Sequence, residues 1–392
     1  MIKIKIRYLF DAELTSGLLL MISFALALLV ANIDPFANWY RDFVFLPITI
    51  GYQDVVYQAP FIQVVNDGLM TLFFLLIGLE LKFHLVCGEF KEKKTLVLPG
   101  AAAIGGVVCP AAIYWLFNVD ASATLKGWAI PIATDTAFML GILSFFKSLL
   151  STPVRAFIIG FSLIDDAIAL LILAIFYTQS GHPLAIFICI GLILLLIGLN
   201  RLKITSASYY LGIGILLWIA MVEAGIHGTL AGVVLALVIP VQTDGAINPS
   251  FHRLEHQLRP IVYFLILPIF AFINSGIDLN AFQLDAWNNP LALGIIFGLL
   301  WGKQLGIFLF SYLAVQCKTC TLPVGLKWLD FYGISVLGGI GFTLSLFIGD
   351  LTFEAIEPNF IMRVSVISAS MVAAVWGSII LWIGRYRTSR TA

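Results

Sequence analysis

Charged residues are scarce in this chain: Asp, Glu, Lys and Arg make up 11% of its 392 residues, and their formal charges cancel. Zero net charge argues against a nucleic-acid partner. Cysteine is equally sparse, with five residues scattered at positions 87, 109, 189, 317 and 320, so there is no disulfide framework to read. Cys317 and Cys320 do form a CxxC, but it stands alone beside Lys318 at a helix end with no βαβ pattern near it, which is weak ground for redox or metal chemistry. No polar stretch is long enough to fold as a separate soluble domain, and no motif calls for an organic cofactor.

What fills the chain instead is apolar: 60% of the residues are hydrophobic and the mean hydropathy is +1.01. This composition reads as an all-α polytopic membrane protein, a single membrane domain over residues 1–392 with about twelve spans, since about 20 apolar residues carry a helix across a bilayer. The runs are approximately Leu14–Ala31, Phe61–Val86, Leu96–Phe117, Leu125–Phe146, Val154–Tyr177, Pro183–Leu199, Ser206–Met221, Ala224–Val241, Leu258–Ser275, Pro290–Val315, Trp328–Ile348 and Phe360–Trp382. Ala25-Leu26-Ala27 could pass for a signal-cleavage site, but the apolar run continues past it and further spans follow, so the first helix is expected to stay.

With the N-terminus in the cytoplasm, every Lys and Arg falls inside except Arg41, Lys126 and Arg363, which fall outside, and Lys303, which is buried in a span. That bias sets the orientation, puts both termini in the cytoplasm and supports an even number of spans, because a missed helix would invert half of the assignments. Between the first two spans, Val44–Ile50 and Asp54–Gln58 are rich in β-branched and aromatic residues around Gly51. A small periplasmic hairpin over 44–58 is expected there, an irregular loop being the alternative.

The residues that stand out are the few ionisable ones inside spans. The run FSLIDDAIALLILAIF, Phe161–Phe176, holds two adjacent carboxylates, Asp165 and Asp166. An acid at the bilayer centre costs about 2.5 to 3.5 kcal/mol on insertion scales, so it is rare without a cavity or a partner. Successive helix residues point about 100° apart, so one carboxyl can address an aqueous cavity while the other addresses a neighbouring helix. Asp165 lies about eleven residues into its span and Lys303 about thirteen into its own, roughly 16 to 20 Å along each axis and near mid-membrane. A lysine at that depth keeps its charge only opposite a counter-charge. A structural ion pair that fixes helix packing is the plainer reading, but such a pair needs one acid, and here there are two plus Asp135.

Asp135 sits in GWAIPIATDTAFMLG, Gly127–Gly141, where Pro131 and the Thr134-Asp135-Thr136 cluster interrupt an apolar helix. Proline removes a backbone hydrogen bond, and threonine hydroxyls can satisfy the freed groups; a simple proline kink is the alternative. A second interruption lies in VLGGIGFTLSLF, Val336–Phe347, with Gly338, Gly339 and Gly341 in mid-span. The first broken span is followed at once by the Asp165-Asp166 helix, and the second is preceded at once by the Lys303 helix. Paired broken segments in corresponding positions of two halves point to an inverted-repeat transporter with its site at the midplane.

These residues carry a resemblance along nearly the whole chain. VNDGLMTLFFLLIGLELK at Val65–Lys82, GWAIPIATDTAF at Gly127–Phe138, LIDDAIA at Leu163–Ala169, GIHGTLAG at Gly225–Gly232, RLEHQLRP at Arg253–Pro260, GKQLGI at Gly302–Ile307 and GGIGFTLSLFI at Gly338–Ile348 together resemble the NhaA-type sodium/proton antiporters. That family is itself a standard instance of inverted-repeat architecture, so the two inferences are linked. The resemblance implies that the interrupted spans cross as extended chains, with Asp135 offsetting the positive helix ends and Lys303 the negative ones. It implies that Asp165 and Asp166 are the exchange site, with Thr134 beside them. It also implies electrogenic exchange with more than one proton per Na+, Li+ as a second substrate, an inner-membrane location and a homodimer held partly by the hairpin.

Chemically, a hard monovalent cation wants oxygen ligands. A desolvated carboxylate pair takes the cation or protons but not both well, so competition at one site gives exchange. Asp166 is the expected primary Na+ ligand, and Asp165 the proton carrier paired with Lys303, though the two roles can swap. The family places the counterpart of Asp67 near the cation pathway; a buried, hydrogen-bonded acid is the alternative. It places a pH-sensing mouth at the end of the second span with the Glu255-His256 region, which brings in Glu80, His84, His227, Glu255 and His256. Glu80 with Lys82 also reads as an interfacial pair, and a lone histidine is more often a hydrogen-bonded helix residue. Where the family carries an Arg-Glu pair, this chain has Phe83 and His84, which leaves the pH set point open.

Rival readings are less well served. An intramembrane aspartyl protease needs its two carboxylates on separate helices around one water, whereas Asp165 and Asp166 are consecutive and Asp350 falls at a span end. A passive channel sits poorly with a deep lysine beside the acids. A sodium-coupled solute symporter of related architecture is the serious alternative, and sodium-dependent proton flux without an organic substrate separates the two.

Overall fold

In a lipid interior every backbone amide must find a partner within the chain, and a helix supplies one locally, so the apolar runs become helices. The computed structural model describes residues 2–52, 55–88, 93–177, 182–243, 246–279, 284–353 and 355–391. Among them, nine helices are long and apolar enough to cross a membrane. A tenth span is a pair, α5 (Ser122–Ile132) and α6 (Thr136–Leu149), bent by 43°. Two shorter apolar helices, α9 (Ala207–Glu223) and α10 (Thr229–Val238), fall where two further spans were expected.

The long helices are α1 (Ile2–Asn32), α3 (Phe61–Val86), α4 (Val97–Asn118), α7 (Thr152–Phe176), α8 (Pro183–Arg201), α11 (Pro249–Ser275), α12 (Pro290–Gln316) and α15 (Ile356–Thr391). The span Trp328–Thr352 is two helices, α13 (Trp328–Leu337) and α14 (Phe342–Thr352), separated at Gly338–Gly341. A short helix, α2 (Phe36–Val44), leads into an antiparallel hairpin of β1 (Pro47–Tyr52) and β2 (Val55–Pro60), in register from Pro47 opposite Pro60 to Tyr52 opposite Val55.

Two of the spans that differ from the apolar runs do so for a local reason. The run 224–241 yields only the ten-residue α10. Gly225 turns at φ 69° before it, and Ile239, held out of the helical region by the following Pro240, ends it with ψ 127°. Conversely, α11 starts at Pro249, whose fixed φ suits a first helical turn, and Asn248 caps it by accepting from Ser250 N at 3.0 Å. The helix therefore begins well before Leu258 and carries Glu255, His256 and Arg259 on its first turns.

The helices cluster into two compact units. One comprises Met1–Ile33, Glu92–Ala169 and Asn274–Ala392, the other Asp34–Lys91 and Leu170–Ile273. In the first, α4 and α12 meet backbone to backbone, since a Cβ added to Gly105 would strike the Gly306 carbonyl and the converse holds as well. Gly298, Gly302 and Gly306 recur every four residues and turn one bare stripe of α12 toward Pro131, Pro110 and Gly105. In the second, α3 packs on α10, with Gly232 against the Thr71 carbonyl. Lys82 Nζ donates to the Leu237 carbonyl at 2.7 Å and to that of Ile239, closing the C-terminal end of α10.

Candidate functional site

The bare stripe of α12 brings Lys303 inward. It ends the π-turn Gly298–Lys303, an irregularity that re-aims side chains and recurs at functional sites. Its ammonium lies 3.0 Å from each carboxylate oxygen of Asp165, and the two side chains are 0% and 1% exposed. A Cβ on Gly106 would sit 3.5 Å from that ammonium, so small residues on α4 leave the space it occupies.

Asp166, the next residue, is turned differently and is only partly buried. Its Oδ2 lies 3.5 Å from Ser162 Oγ, and its charge reaches Lys303. The two adjacent acids are thus divided: one is locked to the amine and the other is only partly buried.

The interrupted spans meet at the same place. Ala133 and Asp135 have extended backbones, and Asp135 N donates to the Ile340 carbonyl in the second break. Thr134 Oγ1 donates to the Gly338 carbonyl at 3.0 Å and is also within hydrogen-bonding reach of Asp165. Asp135 is fully enclosed: Oδ1 accepts from Phe138 N at 2.9 Å and Oδ2 from Thr343 N at 3.0 Å. One carboxylate therefore serves the positive ends of both α6 and α14. Ser345 Oγ, donating to the Ile130 carbonyl at 2.7 Å, ties the second half of one broken span to the first half of the other.

The second unit holds a separate ionic cluster. Arg259 Nη2 lies 2.8 Å from Glu80 Oε1 and 2.8 Å from Glu255 Oε1, a cation shared by two largely buried acids. His84 is near enough to feel the Arg259 charge, whereas His256 is exposed and His227 is elsewhere, against the Tyr177 backbone. Asp67 lies in the π-turn Val64–Leu69 and hydrogen-bonds Gln63, with its own carbonyl 3.3 Å from Trp218 Nε1. Arg259 was missed in the sequence although it follows Glu255 by four residues, the spacing of neighbours on a helix face. The glycine stripe of α12 was likewise readable from its four-residue spacing.

A membrane-spanning helical chain whose two interrupted spans meet beside a buried carboxylate-lysine pair has the form of a secondary ion transporter. Comparison with known proteins makes the class specific. The chain matches the family described as Na+/H+ antiporter 1 over residues 7–381. It is 53% identical over 381 residues to the Na(+)/H(+) antiporter NhaA of Rickettsia massiliae, covering 96% of this chain and 94% of that one. It is 41% identical over 383 residues to Na(+)/H(+) antiporter NhaA 3 of Saccharophagus degradans, covering 96% of each. The chain belongs to the NhaA family of Na+/H+ antiporters.

Proposed function

We propose that this protein extrudes Na+, and also Li+, across the bacterial inner membrane in exchange for external protons, by alternating access at Asp165, Asp166 and Lys303. The observation that carries the reading is the division of the two neighbouring acids between a buried amine and a partly open position. Protons arriving at Asp165 release Lys303 from its counter-charge, while Asp166 offers oxygen ligands to the cation. Thr134 and Asp135 hold the crossing of the broken spans, so the charged groups stay at one depth while access changes sides. If the empty, deprotonated site does not reorient, the inward proton gradient drives Na+ outward, and more than one proton per Na+ makes the cycle electrogenic.

Glu80 and Glu255, joined through Arg259, supply the pH regulation together with the nearby His84, with His227 and His256 as outlying contributors and Asp67 on the cation path. The orientation puts both termini in the cytoplasm and the hairpin outside, where it supports a homodimer. The names of the relatives favour antiport over solute symport, and a transporter over an enzyme.

Everted vesicles assayed for sodium-dependent proton movement, with no organic substrate present, test the reading. Flux is expected for the wild type and none for Asp166→Asn. Substantial residual flux in that variant refutes the site, and no flux in the wild type refutes antiport. Deletion of residues 44–58 is expected to weaken the dimer, and an unchanged oligomer removes the hairpin from that role.

A further inference from the structure

Helix α11 carries a pair of histidines whose geometry suits a second kind of ligand. His252 and His256 stand four residues apart, one turn along the same face, with ring centroids 6.3 Å apart and planes at 78°. Both line an open surface depression of about 380 Å³ together with Pro249, Arg253 and Gln257. The Nδ1 atom of His252 is buried without a hydrogen-bond partner, 3.7 Å from Glu255 Oε2. Nε2 is the nitrogen left for a ligand. His256 is exposed, so its ring can swing toward His252 without disturbing packing.

Two imidazoles at this spacing, with a carboxylate behind one of them, are how a single helix chelates a transition-metal ion. The carboxylate, too distant for a hydrogen bond in this arrangement, favours the tautomer with the proton on Nδ1, and neutral Nε2 donates its lone pair to the metal. We propose that His252 and His256 bind one divalent transition-metal ion of the Zn2+, Ni2+ or Cu2+ class, with Glu255 as the positioning carboxylate.

Imidazole nitrogen selects these ions over the hard monovalent cations that a carboxylate pair takes, so the site is chemically distinct from the exchange site and does not depend on it. Among the described residues no three His, Cys, Asp or Glu side chains converge. The protein therefore supplies two ligands, and water fills the other positions. Arg253 in the wall of the depression opposes a cation, whereas the positive charge of Arg259 is already shared between Glu80 and Glu255. Binding at Nε2 makes the Nδ1 proton of His252 a stronger donor and draws Glu255 toward it, which couples the metal to the Arg259 cluster.

The test uses the full-length protein, purified in detergent without a polyhistidine tag and titrated calorimetrically with ZnCl2 and with NiCl2. One saturable site is expected, lost in His252→Gln and in His256→Gln and weakened about tenfold in Glu255→Gln. Arg253→Gln is expected to bind more tightly, because a like charge is gone. Electron paramagnetic resonance of the Cu2+-loaded wild type needs no variant and should show coupling to two imidazole nitrogens, falling to one in either single-histidine variant. A saturable site that survives in the His252→Gln/His256→Gln double variant, or a Cu2+ spectrum without paired imidazoles, overturns the proposal. So does binding of inorganic phosphate in place of metal, lost in Arg253→Gln, which would reassign the depression to an anion.

Discussion

Lys303 Nζ lies 3.0 Å from both oxygens of Asp165 at a position where neither side chain meets solvent. Removing one member of a buried pair leaves the other uncompensated and costs about 3 to 5 kcal/mol, whereas removing both charges costs much less. Lys303→Met is therefore expected to melt well below the wild type, and Asp165→Asn combined with Lys303→Met to recover most of that loss while remaining inactive in exchange. Thermal unfolding in detergent alongside vesicle flux measures both. If the double variant is no more stable than Lys303→Met alone, the pair is not what holds this depth of the membrane together.

Asp135 accepts from Phe138 N in the first turn of one helix and from Thr343 N in the first turn of another. Each N-terminus carries about half a positive charge, and losing a capping oxygen costs about 0.5 to 2 kcal/mol per helix end. Asp135→Asn keeps an acceptor but loses the charge, and Asp135→Ala loses both. The expected order of melting temperatures is wild type, then Asn, then Ala. An Ala variant as stable as the Asn variant would show that neither helix end draws on this side chain.

The breaks themselves were legible because their causes are local: Pro131 with flanking threonines in one span and three glycines in the other. Their meeting was legible only through the family resemblance, since Asp135 and Thr343 are 208 positions apart and such a pairing leaves no trace in hydrophobic periodicity. The Asp165-Lys303 partnership was inferable only because buried charges need partners and few were available. Arg259 follows Glu255 by one helical turn, but its second partner, Glu80 on another helix, became visible only in three dimensions. The length of α10 was misread because apolar residues continue past a helix whose ends are set by Gly225 and Pro240. Hydropathy reports burial and does not report φ and ψ.

Gly105 and Gly306 let two backbones touch one turn from Lys303. A methyl group there must push the helices apart, an overpacking cost of about 1 to 3 kcal/mol. Gly306→Ala is expected to lower the melting temperature and slow sodium-dependent proton flux. Gly100→Ala, on the same helix as Gly105, meets nothing within 4 Å and gains about 1 kcal/mol of helix propensity. Melting curves and flux for the two variants side by side separate a close-approach requirement from a general intolerance of alanine, which would depress both alike.

Arg259 Nη2 sits 2.8 Å from one oxygen of Glu80 and 2.8 Å from one of Glu255, with all three side chains at most 12% exposed. Arg259→Gln leaves two enclosed carboxylates facing each other without the cation. In acid solution a proton on either acid removes the repulsion and lets the pair share a hydrogen bond; in alkaline solution both are charged and repel. The stability deficit of the variant relative to the wild type is therefore expected to widen as the pH rises. Glu255→Gln added to Arg259→Gln removes one of the two charges and should flatten that dependence. Melting temperatures of the three proteins across a pH series decide it: a deficit that is constant with pH, or one that shrinks toward alkaline pH, means that Arg259 acts here through packing and not through its charge.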